Sequence, residues 1–331
     1  MPLELAPLMD PFQRTFPYLR LSITDACNFR CQYCLPNGYQ KTPAGFLEPS
    51  EIVRLVRAFV ELGTIKVRLT GGEPTLRKDL PEIARCLKAI PGLQTLAMTT
   101  NGYSLKRNAS CYYDLGITSL NVSVDSLNRN KFHEMTGHDK LQDVLKGIEL
   151  AQKIGIKTIK INTVLLKGFN DNTTDLAEFL SWIKTEDLSI RFIELMQTGD
   201  NHDYFVKNHV SASIIQEQLL KHSFSLNTRK FDAGPAVEFS HPDYQGKVGL
   251  IAPYSKDFCQ TCNRLRVTAR GDLRLCLFGS LGFPLREYLA HDDQKPLLQA
   301  RLRDLLRHKK ETHALHLGET GLTPHLASLG G

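Results

Sequence analysis

Three cysteines fall within eight positions, Cys27, Cys31 and Cys34 in DACNFRCQYCLP, and no fourth stands near them. A structural zinc site takes four ligands, usually as C-x2-C pairs or completed by histidine. A fully ligated cubane iron–sulfur cluster also takes four, so three thiolates leave one iron open to a small molecule. The spacing C-x3-C-x2-C therefore favours a ligand-binding [4Fe–4S] cluster over zinc. A second trio, Cys259, Cys262 and Cys276, is spaced C-x2-C-x13-C and again lacks a fourth cysteine. Zinc completed by His241 is one reading of it. The other two of the eight cysteines, Cys86 and Cys111, stand alone in helix-like segments and are expected to be packing residues.

Something must position these thiols. From Tyr18 to Met196, short β-branched runs (YLRLSIT, IKVRLTGG, QTLAMTTN, SLNVSVD, IKTIKINTVLL, SIRFIELM) alternate with amphipathic stretches such as PSEIVRLVRAFVELG and TTDLAEFLSWIKTE. Such alternation means parallel strands with crossover helices, here an α/β fold read as an incomplete, TIM-like (β/α)6 barrel over residues 1–200. Residues 201–331 change character: a helix (SASIIQEQLLKH), short strands (AVEFSH, KVGLIA), a hairpin turning near Gly271-Asp272, and two helices ending by about Lys310. This smaller α+β region carries the second cysteine trio.

Strand parity gives the barrel an unusual interior. Arg20, Ser22 and Thr24 share one face of their strand, Lys66, Arg68 and Thr70 of the next, and Asn121, Ser123 and Asp125 of another. Closed barrels fill their interiors with branched apolar side chains. Polar faces repeated on several strands imply a lumen that is wet or holds a ligand.

With 41 basic and 35 acidic side chains, the net charge of +6 suits a nucleic acid or a phosphorylated small molecule and decides neither. The longest basic run, Arg307 to Lys310, is expected on a solvated helix face. No GxxxxGK[ST] is present, which excludes a simple P-loop nucleotidase. The first dozen residues lack a basic segment followed by an apolar run, and no stretch approaches the length of a membrane span. The expectation is a soluble, cytoplasmic protein with reduced thiols, without nucleic-acid or membrane partners.

The cysteine motif, with Tyr33 before its third thiol, and TGGEP at Thr70 to Pro74 after the second strand together resemble the radical S-adenosylmethionine (SAM) superfamily. LRLSITDACNFRCQYCLP, LTGGEPTLR, TTNGY, NVSVDSL, RFIELM, KDFCQTCNRLRVTARGDLRLCLF and the terminal Gly-Gly resemble, within it, the GTP 3′,8-cyclases of molybdenum cofactor biosynthesis, from about Arg20 to Gly331. Ala26 departs from the pattern, standing where an arginine often precedes the first cysteine.

The resemblance implies two [4Fe–4S] clusters, one on Cys27, Cys31 and Cys34 and one on Cys259, Cys262 and Cys276, the latter with an open iron that meets guanine. It implies SAM contacts at Tyr33, Gly72, Ser123 and Met196. GTP would be surrounded by Arg20, Arg68, Thr99, Lys160, Arg191, Arg264 and Arg266, with Arg266 also the catalytic side chain. An external reductant such as flavodoxin, a homodimer, and a Gly-Gly tail reaching the active site belong to the same expectation. A radical SAM peptide maturase with an auxiliary cluster is one alternative, and a non-catalytic zinc-binding RNA module, which would leave GGEP and the six-unit barrel unexplained, is the other. Arg191 and Met196 have opposite parity, so the strand must end or bend between them for both to reach one site.

Overall fold

The structure, a computed structural model, describes residues 6–40, 45–228, 233–279, 282–321, 323 and 326–329. The terminal Gly330 and Gly331, and with them the expectation for the tail, lie outside the described residues.

The six expected strands all form: β1 (Tyr18–Thr24), β2 (Lys66–Gly71), β3 (Thr95–Thr100), β4 (Ile117–Ser123), β5 (Thr158–Leu165) and β6 (Ser189–Glu194). Helices α1 (Pro49–Glu61), α2 (Leu80–Lys88), α3 (Leu105–Asp114), α4 (Arg129–Thr136), α5 (Leu141–Ile154) and α6 (Thr173–Thr185) supply the crossovers. After β6 come α7 (His202–Asn208), α8 (Ser213–Lys221), β7 (Ser225–Leu226), β8 (Val237–Ser240), β9 (Lys247–Ile251), β10 (Arg264–Val267), β11 (Asp272–Arg274), β12 (Phe283–Pro284) and α9 (Lys295–Leu306). One sheet holds every strand, in the order β12-β11-β10-β1-β2-β3-β4-β5-β6-β9-β8-β7. From β10 through β1 to β6 and on to β9, all neighbours are parallel; the outer pairs are antiparallel.

Local chemistry explains these elements. In α1, Pro49 opens the helix, Glu48 and Glu51 cap each other's backbone, and Ile52, Leu55, Val56 and Phe59 form the buried stripe. The barrel strands send their apolar sets outward against the helices: Leu19, Leu21 and Ile23 from β1, Val67 and Leu69 from β2, Ile159 and Ile161 from β5, all buried. The opposite set faces inward. Arg20, Thr70, Thr99, Asn121, Asn162 and Arg191, from six consecutive strands, line one cavity. Six strands in a row meet one cavity only if the sheet curls around it.

The structure differs from expectation in three ways. Residues 286–310 hold one α-helix, α9, preceded by short 3-10 turns at Arg286–Tyr288 and Asp292–Gln294, rather than two helices. The helix ends at Leu306, so Lys309 turns inward and is buried instead of lying on a solvated face. Cys86 and Cys111 are exposed, not packed: helical spacing placed them on α2 and α3, but Ile83, Ala84 and Leu87, and Ala109 and Tyr112, occupy the buried stripes. The hairpin turns as expected, with β10 and β11 joined through Gly271 at φ +93°.

Candidate active site

Both cysteine sets line a single cavity of ≈ 240 Å³. The first sits in the loop after β1, and the loop after β2 is laced to it. Gly72 N–H donates to Thr24 O at 3.0 Å and Glu73 N–H to Ala26 O at 2.7 Å. The glycines are required here: Gly71 has φ +140°, and a Cβ on Gly72 would lie 2.3 Å from the Ala26 carbonyl. Glu73, fully buried, accepts from Thr75 N–H and hydroxyl, Thr100 Oγ1 and Asn101 N–H, tying β3 to the same loop. Tyr33 donates its phenol proton to Asp125 beyond β4 at 3.0 Å, which anchors the loop between Cys31 and Cys34.

Neither set belongs to a tight group of three metal ligands; among the described residues no such group occurs. All six thiols line the wall of the one cavity, and three thiolates leave a fourth iron of a cubane open. Donors suited to thiolates surround the first set: Phe29 N–H points to Cys27 Sγ at 3.4 Å, and Ala327 N–H to Cys34. Burial pushes the Cys27 thiol up to about 11 and Cys34 up to about 12. Cys31 is raised too, by burial and then the Asp125 carboxylate. Such thiols are held protonated unless an electropositive group takes them.

Cys262 behaves oppositely. Burial raises it, but the Arg264 and Lys309 charges outweigh burial and bring it down to about 7. The second set is braced from outside by Arg14, whose guanidinium donates to Cys259 O at 3.0 Å, Glu311 O at 2.6 Å and Lys310 O at 2.7 Å while pairing with buried Asp10 at 2.7 Å. His241 is not its neighbour; it packs with Phe224 and Tyr244 and does not line the cavity.

Register explains the charge on the wall between the two sets. Arg266, Arg20 and Arg68 stand abreast on β10, β1 and β2, and Arg264, Tyr18 and Lys66 form the adjacent row. Like charges side by side across strands repel. Tyr18 answers part of this: its hydroxyl accepts from Arg68 Nε at 2.7 Å, and burial, which alone would raise its pKa, is outweighed by Arg68, Arg20 and Lys66, giving about 6. Burial, then Arg20 and Arg264, push Arg266 down. Arg264 Nε and Nη1 and the Nε atoms of Arg191 and Arg266 are buried without a hydrogen-bond partner among the described residues, as are Thr99 Oγ1, Asn121 Oδ1 and Asn162 Oδ1. Buried donors and acceptors in this state are costly, and an anionic, hydrogen-bonding ligand satisfies them.

A wider cavity of ≈ 1300 Å³ shares Arg191, Glu194, Gly234, Pro235 and Phe258 with the first. Lys66 and Lys160 line it. Burial, followed by the Arg191 and Lys66 charges, lowers Lys160 to about 7.

The structure thus brings Tyr33, Gly72, Ser123, Met196, Arg20, Thr99, Arg191, Arg264, Arg266 and all six motif cysteines to one cavity, with Lys160 on the adjoining one. β6 ends at Glu194, which lets Met196 join Arg191 despite opposite parity. Arg68 lines neither cavity; it is buried against Tyr18, Met98 O and Ser119. Tyr18 and His313, which line the first cavity, were not among the sequence-derived site residues, whereas Lys66 and Asp125 were placed on lumen faces by parity without a role. Tyr18 shares the parity of Arg20, and Lys66 that of Arg68, so both carried a signal. His313, beyond the last helix, carried none.

Residues 21–180 match the model of the Radical SAM superfamily and residues 188–315 that of Molybdenum Cofactor Synthesis C. A GTP 3′,8-cyclase of Stenotrophomonas maltophilia is 54% identical over 99% of this chain and 100% of its own length. One from Tolumonas auensis is 53% identical, over 98% of this chain and 96% of its own. The chain belongs to the GTP 3′,8-cyclase family. Membership of that family implies SAM and a [4Fe–4S] cluster, for which the first cysteine set has the right donors. Among solved structures, Streptococcus suis SuiB bound to S-adenosylmethionine matches with a TM-score of 0.57 at 14% identity, covering 92% of this chain and 68% of its own. That likeness concerns the radical SAM fold alone. Among the described residues no helix is long and apolar enough to cross a membrane.

Proposed function

We propose that the protein converts GTP to (8S)-3′,8-cyclo-7,8-dihydro-GTP with SAM as cosubstrate, the first step of molybdenum cofactor biosynthesis. One observation carries the reading: two cysteine sets line a cavity whose wall also holds Arg20, Arg191, Arg264 and Arg266, with Lys66 and Lys160 on the adjoining cavity. A peptide-modifying enzyme has no use for those cations, whereas a triphosphate and a purine do.

Residues 1–200 act as an incomplete (β/α)6 barrel that holds SAM; residues 201–331 complete the site with the second cysteine set, Arg264 and Arg266. Cys27, Cys31 and Cys34 would hold a [4Fe–4S] cluster that would supply the electron for reductive cleavage of SAM, and Cys259, Cys262 and Cys276 would hold a second one on the side of the cavity where the purine lies. The chain does the rest. Tyr33, Gly72, Ser123 and Met196 hold SAM beside the first set. Arg20, Thr99, Arg264 and Arg266 hold the nucleoside, while Lys66, Lys160 and Arg191 take the phosphates along the adjoining cavity. Arg68 acts on the site through Tyr18. Val164, Ile193, Leu195, Phe258, Leu326 and Ala327 form apolar parts of the wall and exclude water, which protects a radical reaction from side chemistry. Fixing ribose C3′ against SAM and guanine C8 is worth ~7–11 kcal/mol of the barrier. A flavodoxin-type electron donor, a homodimer and a cytoplasmic setting belong to this reading.

The cysteine sets separate the two roles. Cys31→Ala should abolish reductive cleavage of SAM, whereas Cys276→Ala should retain some 5′-deoxyadenosine formation without cyclised product. Equal loss of SAM cleavage in both folded variants would refute the division.

A further inference from the structure

Behind the second cysteine set lies a buried cation that has no carboxylate partner among the described residues. Lys309 is 5% exposed. Its ammonium donates to the Leu275 carbonyl and stands 5.3 Å from the centre of the Phe16 ring, and among the described residues no carboxylate pairs with it. Burying an ammonium without a counter-charge is costly. The contrast with Arg14 is direct: that guanidinium braces the same cysteine set through Cys259 O, but Asp10 neutralises it.

The position of Lys309 indicates what would answer its charge. Leu275 is peptide-bonded to Cys276, and the Lys309 charge reaches Cys262. Around the first cysteine set the nearby ionisable side chains are acidic, Glu73 beside Cys27 and Asp125 beside Cys31. A cubane held by three thiolates is anionic, and reduction adds one more negative charge. A fixed, buried cation beside it stabilises the reduced form more than the oxidised one.

We propose that Lys309 is the built-in counter-charge of a cluster held by Cys259, Cys262 and Cys276, and that it raises the reduction potential of that cluster. Lys309 is a positioning residue; it lines neither cavity. The proposal rests on the two-cluster reading above.

The test is an anaerobic redox titration, followed by electron paramagnetic resonance, of the reconstituted wild type, Lys309→Gln and Lys309→Arg. Glutamine keeps a donor for the Leu275 carbonyl but no charge; arginine keeps both. Lys309→Gln should make reduction of the second cluster at least about tenfold less favourable, a fall of about 59 mV for one electron. Lys309→Arg should stay within about threefold of wild type, and the first cluster should not move in either variant. An unchanged potential in Lys309→Gln, or equal falls in both variants, overturns the proposal. If Lys309→Gln fails to hold the second cluster, retention by Lys309→Arg at the wild-type potential upholds the charge requirement, and failure of both overturns it. Iron content separates this from the underlying reading: wild type with about four irons per chain instead of about eight means that the second cluster itself is absent.

Discussion

Lys160 offers the sharpest quantitative handle on nucleotide binding. Burial and the neighbouring Arg191 and Lys66 charges hold its pKa at about 7, against an ordinary 10.5. At pH 8 the amine is then about nine-tenths neutral, at pH 7 about half, and at pH 6 almost wholly charged. A triphosphate placed beside it restores the charged form. GTP binding should therefore draw in ~0.9 proton through Lys160 at pH 8, ~0.5 at pH 7 and close to none at pH 6. Anaerobic titration calorimetry in buffers of differing ionisation enthalpy reads this number as the slope of observed heat against buffer enthalpy. Lys160→Met should lower the slope by that amount, which removes contributions from Tyr18 and from the phosphates. The unliganded protein gives a matching sign. A lysine whose folded pKa lies below its unfolded one costs stability fully below pH 7, and the cost fades as pH rises toward 10.5. Lys160→Met should therefore stabilise the free protein most at pH 6 and progressively less above pH 7. A wild-type slope at pH 8 that the variant leaves unchanged would refute the placement of phosphate beside Lys160.

Two further outcomes follow from other parts of the fold. Arg14→Met leaves Asp10 buried at 3% exposure without its cation and removes the brace on Cys259, so it should cost about 3–5 kcal/mol in urea unfolding. Adding Asp10→Asn should recover part of that loss, and strictly additive costs would show that the pair is not coupled. Because Leu326 and Ala327 line the cavity of both cysteine sets, removing Gly330 and Gly331 just beyond them should suppress product formation while both clusters assemble and GTP still binds. Full turnover by the truncated protein at saturating GTP and SAM would exclude a role for the tail.

Much of this site could be read from sequence because period-two alternation is a strong signal on strands that bury both faces. The outward sets of β1, β2 and β4 are apolar and the inward sets polar, so parity alone aimed Arg20, Thr70 and Ser123 at the lumen. Parity names a face, however, and not an occupant. It placed Arg68 correctly but could not show that the Tyr18 hydroxyl and Met98 carbonyl take its guanidinium. Lys309, Arg14 and His313 were illegible for a different reason. Their surroundings are made by contacts between segments far apart in the chain, such as Arg14 with Cys259 and Glu311, and no local period encodes those. The same limit misassigned Cys86 and Cys111, since cysteine in a helix is compatible with either face until packing decides.

The central claim is that one chain cleaves SAM and uses the resulting radical on the ribose of GTP. Anaerobic turnover with [3′-²H]GTP, SAM and a one-electron reductant tests it directly by following the label. The account expects one deuterium to move from ribose C3′ into 5′-deoxyadenosine, in proportion to the 3′,8-cyclised nucleotide formed. Unlabelled 5′-deoxyadenosine accumulating beside intact GTP in the fully loaded protein would contradict it.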